Sequence, residues 1–344
     1  MAGVGRAAAA RKLASAAAFG GGGLSLIGAS LYGLLRVEAA AARKAIGHTD
    51  ARVPDATGWY GRSRPGPAIK VAVLGDSSAA GYGVRTVEQT PGAYLGSGLA
   101  AAANRRVHLG AFCVVGAKSS DLVGQVTAAL PSNPDVAVIM IGANDVTHQM
   151  LPSESVRLLS ESVRRLREAG IEVVVGTCPD LGTVRPIPQP LRQVAELWSR
   201  RLAAAQAIAV VEAGGRTVSL GSILGPEFDA DPAVFFGPDQ FHPSATGYAS
   251  LVSVLLPSVL AALGLAPDHE VSPQTHRGEG LRPISEAAVH ASKNPGTELG
   301  GTEVGGAARG PGGRWVLQMR RRWLQPENVE APDSDESKSG ATEV

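Results

Sequence analysis

The chain is poor in the residues that carry most specialised chemistry. It has two cysteines, four methionines and only 4% aromatic residues in 344. Neither Cys113 nor Cys178 sits in zinc-type Cys/His spacing, so no metal site is expected. Both thiols fall near the ends of expected strands, Val107–Val115 and Ile171–Thr177. In a sheet of order 2-1-3-4-5, two strands would separate them. Strands lie about 4.8 Å apart, so that gap exceeds disulfide reach, and two free, mostly buried thiols are expected. The formal net charge is +1, and no basic patch is interleaved with aromatics in the central region. A nucleic-acid or acidic-surface partner is therefore not indicated. Alanine and glycine supply much of the apolar content, which at 44% is ordinary for a globular core.

Leu13–Leu35 holds no charged residue. Twenty-three uncharged residues suffice to span a bilayer, which needs about 20. That is long for a signal-peptide core of about 7–15. Residues 13–35 are read as a signal anchor or uncleaved signal peptide, with residues 1–12 on the cytoplasmic side. A cleaved signal is the alternative, since Ala39–Ala42 could offer small-residue cleavage sites. Arg6, Arg11 and Lys12 precede the run and Arg36, Arg43 and Lys44 follow it, so charge asymmetry does not decide orientation. The expected location is membrane-anchored or secreted, with the following domain extracytoplasmic.

Residues 36–68, ending in Arg62-Ser63-Arg64-Pro65-Gly66-Pro67, read as a turn-rich linker. From 69 to 265, strand-like and helix-like segments alternate. Ile69–Leu74, Val107–Val115, Val136–Ile141, Ile171–Thr177 and Thr217–Leu220 read as strands. Val136–Ile141 is an unbroken apolar run, as expected of a strand buried on both faces. Pro91–Asn104, Ser120–Leu130, Ser153–Ala169, Leu191–Val211 and Ser244–Leu263 read as helices. The clearest is Ser153–Ala169, where Val156, Leu159, Val163 and Leu166 recur at helical spacing and Gly170 marks the stop. Such alternation predicts one three-layer α/β domain around a five-stranded parallel sheet. Residues 266–344 are rich in Gly, Glu, Ser and Pro without periodicity and are expected to be a disordered tail. A basic, Trp-containing island at 314–324 could touch a membrane surface or a partner.

Four short blocks carry candidate chemistry, each after a strand or before the closing helix. Gly75-Asp76-Ser77 ends the first strand, and ligands of open α/β sheets bind beyond the carboxyl ends of strands. Ser77 there is a candidate nucleophile and Asp76 a shaper of its turn. Gly116, after the second strand, can offer its N–H to a developing oxyanion because it has no Cβ. Asn144, in Gly142-Ala143-Asn144-Asp145 after the third strand, can offer a side-chain N–H₂ to the same oxygen. Asp239 and His242 lie in one loop before the last helix. His242 can accept a serine proton near neutral pH, and Asp239 can hold the imidazole in its reactive tautomer.

In these blocks the chain resembles the SGNH (GDSL) hydrolase family over about residues 69–263. The resemblance implies a flavodoxin-like hydrolase fold and a serine esterase or lipase mechanism. Ser77, Asp239 and His242 would be catalytic, with an oxyanion hole of the Ser77 N–H, Gly116 N–H and Asn144 side chain, and an acyl-serine intermediate. It implies no cofactor and a small-molecule or lipid ester as substrate. The first block runs Gly75-Asp76-Ser77-Ser78, without the Leu of the GDSL name, which bears on the subfamily and not on the triad. Ser78 is a rival nucleophile and His148 a bystander. Phe228, Phe235, Phe236 and Phe241 lie in what reads as a loop leading to His242, and Phe235 and Phe236 are expected to wall an acyl site. The alternatives are a carbohydrate O-acetyl esterase or thioesterase of the same fold and, in another class, a non-catalytic envelope binding protein.

Overall fold

The computed structural model describes residues 33–42, 53–265 and 331–332. The expected anchor up to residue 32 and the tail with its Trp island lie outside them. Residues 33–42 form a helix, α1. Its buried Glu38 accepts a 2.8 Å bond from the Leu191 N–H, an acid at the amino end of α7 (Leu191–Glu212) where the helix dipole favours one.

Six strands form one sheet in the order β1-β3-β2-β4-β5-β6. They are β1 (Gly58–Tyr60), β2 (Ile69–Gly75), β3 (Val107–Ala111), β4 (Val136–Met140), β5 (Glu172–Gly176) and β6 (Arg216–Val218). The last five are mutually parallel, in the order 2-1-3-4-5 among themselves on which the expected cysteine separation rests. The sixth is an addition: β1 pairs antiparallel with the outer edge of β3, inside the stretch read as linker. Three residues are too few to show alternation. Its Tyr60 is nonetheless fully buried, and its hydroxyl donates to the Ala56 carbonyl.

Alternation along the central strands divides the interior into two cores and so makes three layers. Val71 and Val73 of β2 and Val136, Val138 and Met140 of β4 face α3 (Pro91–Ala103) and α10 (Ala245–Ala262). Ala72, Leu74, Ala137 and Ile139 face α4 (Leu122–Ala129) and α6 (Pro152–Glu168). All five residues of β4 are buried, as its apolar run predicts. In α6, Leu159, Val163 and Leu166 are buried while Arg157 lies outside, paired with Glu161. Its stop is the expected one: Gly170 takes φ +78°, and the Ile171 N–H bonds back to the Leu166 carbonyl. Ser244 caps α10 through the Gly247 N–H. By length and composition α10 could cross a bilayer, but 67% of it is buried within the domain, where it serves as a core helix.

Two readings of the sequence are corrected. The second strand ends at Ala111, because Phe112 to Val115 leave the sheet; Val114 and Val115 are exposed. The segment before His242 is not one loop: α8 (Leu220–Ala230) and α9 (Pro232–Phe235) occupy most of it. Gly221, Gly225, Pro226 and Pro232 hide the helical pattern. Two short helices complete the domain, α2 (Ser77–Ala80) and α5 (Ala143–Thr147), each at the carboxyl end of a central strand.

Candidate active site

The site is built where the chain leaves β2. Gly75 takes φ +133°, and a Cβ there would lie 1.9 Å from the Met140 carbonyl oxygen on the neighbouring strand. Only glycine fits. The buried Gln125 of α4 closes on this residue from both sides. Its Oε1 accepts from the Gly75 N–H at 2.7 Å and its Nε2 donates to the Gly75 carbonyl at 2.9 Å. Asp76 then caps α2, its Oδ1 accepting from the Ser78 N–H at 2.9 Å. Ser77 opens that helix with its side chain facing inward.

Ser77 meets the loop before α10. Its Oγ lies 3.0 Å from His242 Nε2, and His242 Nδ1 lies 2.6 Å from Asp239 Oδ2. With Nδ1–H donated to the carboxylate, Nε2 is left to accept the serine proton. The other Asp239 oxygen accepts from the Phe241 and His242 N–H groups, both at 3.0 Å. One carboxylate therefore sets both the loop backbone and the ring. Partial burial pushes the Asp239 carboxyl up, but these three bonds outweigh it and hold the group below its ordinary range. Asp76 shows the opposite balance. Burial dominates the Ser78 bond and the nearby His242, and its carboxyl is pushed up to about 6. Tyr82 and Phe241 pack their rings against His242, at 4.5 and 4.8 Å between centroids. Tyr82 is in turn held by the buried Tyr248 hydroxyl, which donates to its carbonyl at 2.7 Å.

The other two blocks arrive at the same edge. Gly116 sits in the exposed turn after β3 with φ +81°. That turn is tied to the end of β2 by the Val114 N–H, which donates to the Gly75 carbonyl at 3.1 Å. Asn144, on α5, donates from Nδ2 to the Ala117 carbonyl at 3.0 Å, so one amide hydrogen is engaged and the second is available to a ligand. Next to it the buried Asp145 accepts three bonds, from the Ser119 N–H at 2.9 Å and from the Ser119 and Ser155 hydroxyls at 2.5 Å each. Asp145 thus locks together the Gly116 turn, α5 and the start of α6.

His148 is exposed and bonds to the Asn144 carbonyl. Ser78 lines an apolar cavity and not the His242 pair. Phe236 lines the same cavity with Phe228 and Phe241, while Phe235 packs on Phe228 and is not among its lining residues. Cys113 and Cys178 are free thiols, and burial pushes both up. The sequence reading missed Gln125, Tyr82 and the reach of Asp145. A glutamine on the inward face of an apolar helix is the one signal that could have found the first.

Residues 73–250 match the model of the GDSL-like lipase/acylhydrolase family. The chain is 41% identical over 263 residues to the GDSL-like esterase Rv1075c of Mycobacterium tuberculosis, an alignment covering 73% of this chain and 83% of that protein. Among solved structures it is similar to a lipase/acylhydrolase from Enterococcus faecalis, at 22% identity over 56% of this chain and 96% of the other, with a TM-score of 0.45. It is also similar to an acetyl xylan esterase from Geobacillus stearothermophilus, at 18% identity over 58% and 96%, again with a TM-score of 0.45.

Proposed function

The chain belongs to the GDSL-like lipase/acylhydrolase family and is an ester-bond hydrolase; from that premise we propose that it works through Ser77, His242 and Asp239 and an acyl-Ser77 intermediate. The observation that carries this reading is the unbroken chain of short contacts from Ser77 Oγ through the imidazole to Asp239. His242 Nε2 takes the Ser77 proton as Oγ bonds to the ester carbonyl carbon. The carbonyl oxygen becomes an oxyanion, held by the Ser77 and Gly116 N–H groups and the free Asn144 amide hydrogen. Such donors are each worth about 2.7–4 kcal/mol in the transition state. Collapse breaks the ester C–O bond, and the alcohol leaves with the proton from His242 Nε2. Water then attacks the acyl carbon, gives its proton to His242, and releases the acid and Ser77.

Hydrolysis of p-nitrophenyl esters tests the assignment. Ser77→Ala is expected to lower kcat by about 10⁴-fold or more, as loss of a triad member does, and to abolish labelling by a fluorophosphonate. Full turnover in Ser77→Ala would refute it. The uncharged run at 13–35 further supports a place at the cell envelope, with the hydrolase domain tethered by its amino end. Release of the full chain from membranes by an alkaline carbonate wash would refute the tether.

A further inference from the structure

The amino end of the chain reaches the domain at the carboxyl edge of the sheet, the edge that carries Ser77, Asn144 and His242. α7 follows β5 and leads into β6, so it starts on that side. Gln206 of α7 is level with the ends of β4 and β5, where it bonds to Ile141 and Cys178. Leu191 stands about 22 Å farther along the helix axis, at about 1.5 Å for each residue back from 206 to 191. There Glu38 holds α1 to the Leu191 N–H. The next described strand is entered from the same side. The Thr57 hydroxyl accepts from the N–H of Ala111, the last residue of β3, at 3.1 Å, and β1 then runs away from that edge, antiparallel to β3.

α1 is apolar on both sides. Leu35, Glu38, Ala39 and Ala42 recur at helical spacing and turn inward, with Glu38 and Ala42 buried. Leu34, Val37 and Ala41 form a second stripe that faces out, with Leu34 46% and Val37 67% exposed. The first two turns of α7 add the exposed Val194 and Leu197. A helix that is apolar all round needs cover all round, and the domain covers only one side of this one. The uncharged run at 13–35 indicates what covers the other, because it ends inside α1, at Leu35. The charges that follow on the outer side and beyond the helix are basic, Arg36 and then Arg43 and Lys44, which suits anionic lipid headgroups.

We infer that the outer stripe of α1 lies in the bilayer surface and holds the carboxyl edge of the sheet towards the membrane, so that the site takes esters carried on membrane lipids; the inference rests on the esterase and tether readings above. A domain on a loose tether would meet such an ester in every orientation. One seated through α1 keeps its open side turned to the lipid, and an ester held on the same surface acts at a high effective concentration.

The test compares two substrates of one chemistry, a fluorogenic acetyl ester free in solution and the same ester carried on the headgroup of a vesicle lipid. Both are given to the full chain reconstituted in vesicles containing phosphatidylglycerol. At equal bulk concentration, turnover should favour the lipid-borne ester by about 100-fold or more. Glu38→Lys sets a cation against the amino end of α7 and frees α1. It is expected to cut that preference at least about ten-fold and to leave turnover of the soluble ester unchanged. Val37→Asp charges the outer stripe at an exposed position, so it keeps the fold even if Glu38→Lys does not, and it should lower the preference as well. A fluorophore on Val37→Cys should be quenched by brominated lipids, and one on the exposed Glu168→Cys, before β5 at the opposite edge of the sheet, should not. An unchanged preference in both variants, or equal quenching at the two labels, would overturn the orientation while leaving the esterase reading intact. A full chain that fails to float with the vesicles would remove the tether and this inference with it. Absence of Ser77-dependent turnover of either ester would instead remove the esterase reading, and the two labels would still report the orientation.

Discussion

Asp145→Asn is the most informative single change outside the proposed triad. The carboxylate is 1% exposed and accepts three bonds, so it has no solvent to fall back on. Hydrogen bonds to a charged group contribute about 1.5–3 kcal/mol each. Asparagine keeps the oxygen that accepts from the Ser119 N–H and turns the other, which takes both serine hydroxyls, into a donor. A hydroxyl can rotate to accept, but Ser119 and Ser155 lie only 3.1 Å apart and must re-sort their own donation. The loss is therefore at least one of the two charged bonds to that oxygen, roughly 2–3 kcal/mol or more, read as a lower urea midpoint at unchanged slope. The catalytic effect follows from what Asp145 joins. Ser119 terminates the turn that carries Gly116, and Asn144 is the adjacent residue. Loosening both should forfeit part of what one oxyanion donor contributes, about ten-fold or more in kcat, with KM little changed. Ser155→Ala is the control. It removes one donor on the α6 side and leaves the Ser119 pair, so it should cost about 1–2 kcal/mol with kcat near wild type. Wild-type stability and kcat in Asp145→Asn would refute the reasoning; equal kcat losses in both variants would show that stability and not placement was being measured.

Two further predictions concern the nucleophile turn. Asp76 has its carboxyl raised from 3.8 to about 6 by burial, so its protonated form favours the folded state; that contribution is complete below about pH 4 and is lost as pH rises through 6. Asp76→Asn keeps an oxygen to cap the Ser78 N–H but cannot titrate. Unfolding free energies measured from pH 4 to 7 should diverge from wild type by up to about 3 kcal/mol in the variant's favour, and parallel curves would refute the assignment. Asp239, held below its ordinary range, works in the opposite sense and loses its contribution only as pH falls below about 4. Gly75→Ala drives a Cβ into the Met140 carbonyl and should destabilise by at least about 2 kcal/mol, seen as a drop in Tm; an unchanged Tm would mean the turn can relax.

What was legible in the sequence follows from how local each signal is. Val136 to Ile141 announces a strand because both faces are buried and every position is apolar, and Ile69 to Leu74 does so with the exposed Lys70 as its one polar residue. Leu159, Val163 and Leu166 announce α6 by spacing alone. The same logic misleads at Phe112 to Val115, an apolar run that is loop. It fails for β1, whose three residues are held by pairing with β3 and by the burial of Tyr60. It fails again for α8 and α9, where Gly221 packs against the 178–180 backbone, Gly225 packs against Asp180 and Pro226 lies inside the helix, all of them residues of low helix propensity. Ser77 and Asn144 stood out because they follow strands beside small residues, and Asp239 and His242 because they share one loop before the last helix. Gln125 did not, because its partner lies 50 residues away and nothing near it in the chain reports that contact.

These long-range amides explain how blocks so far apart in sequence come to be held in register. A parallel sheet supplies ladder partners only while its strands run side by side. Where β2, β4 and β5 end, the chains diverge towards their helices, and the last backbone groups lose those partners while still buried. An unsatisfied buried group costs about 1–3 kcal/mol. Two buried glutamines supply what the ladder no longer does. Gln125 takes the N–H of Gly75 and adds a second donor to its carbonyl, which also accepts from the Val114 N–H. Gln206 accepts from the Cys178 N–H at 2.8 Å and donates to the Ile141 carbonyl at 3.1 Å, which ties the end of β5 to the end of β4. Ser77 lies two residues beyond the first of these contacts and Asn144 three beyond the Ile141 carbonyl. Each side-chain amide must choose one geometry to satisfy both its partners, so the strand ends cannot slide relative to α4 and α7 without breaking a pair of bonds. Ser77 and Asn144, the proposed nucleophile and oxyanion donor, thus inherit their placement from polar groups beyond the sheet's own ladder.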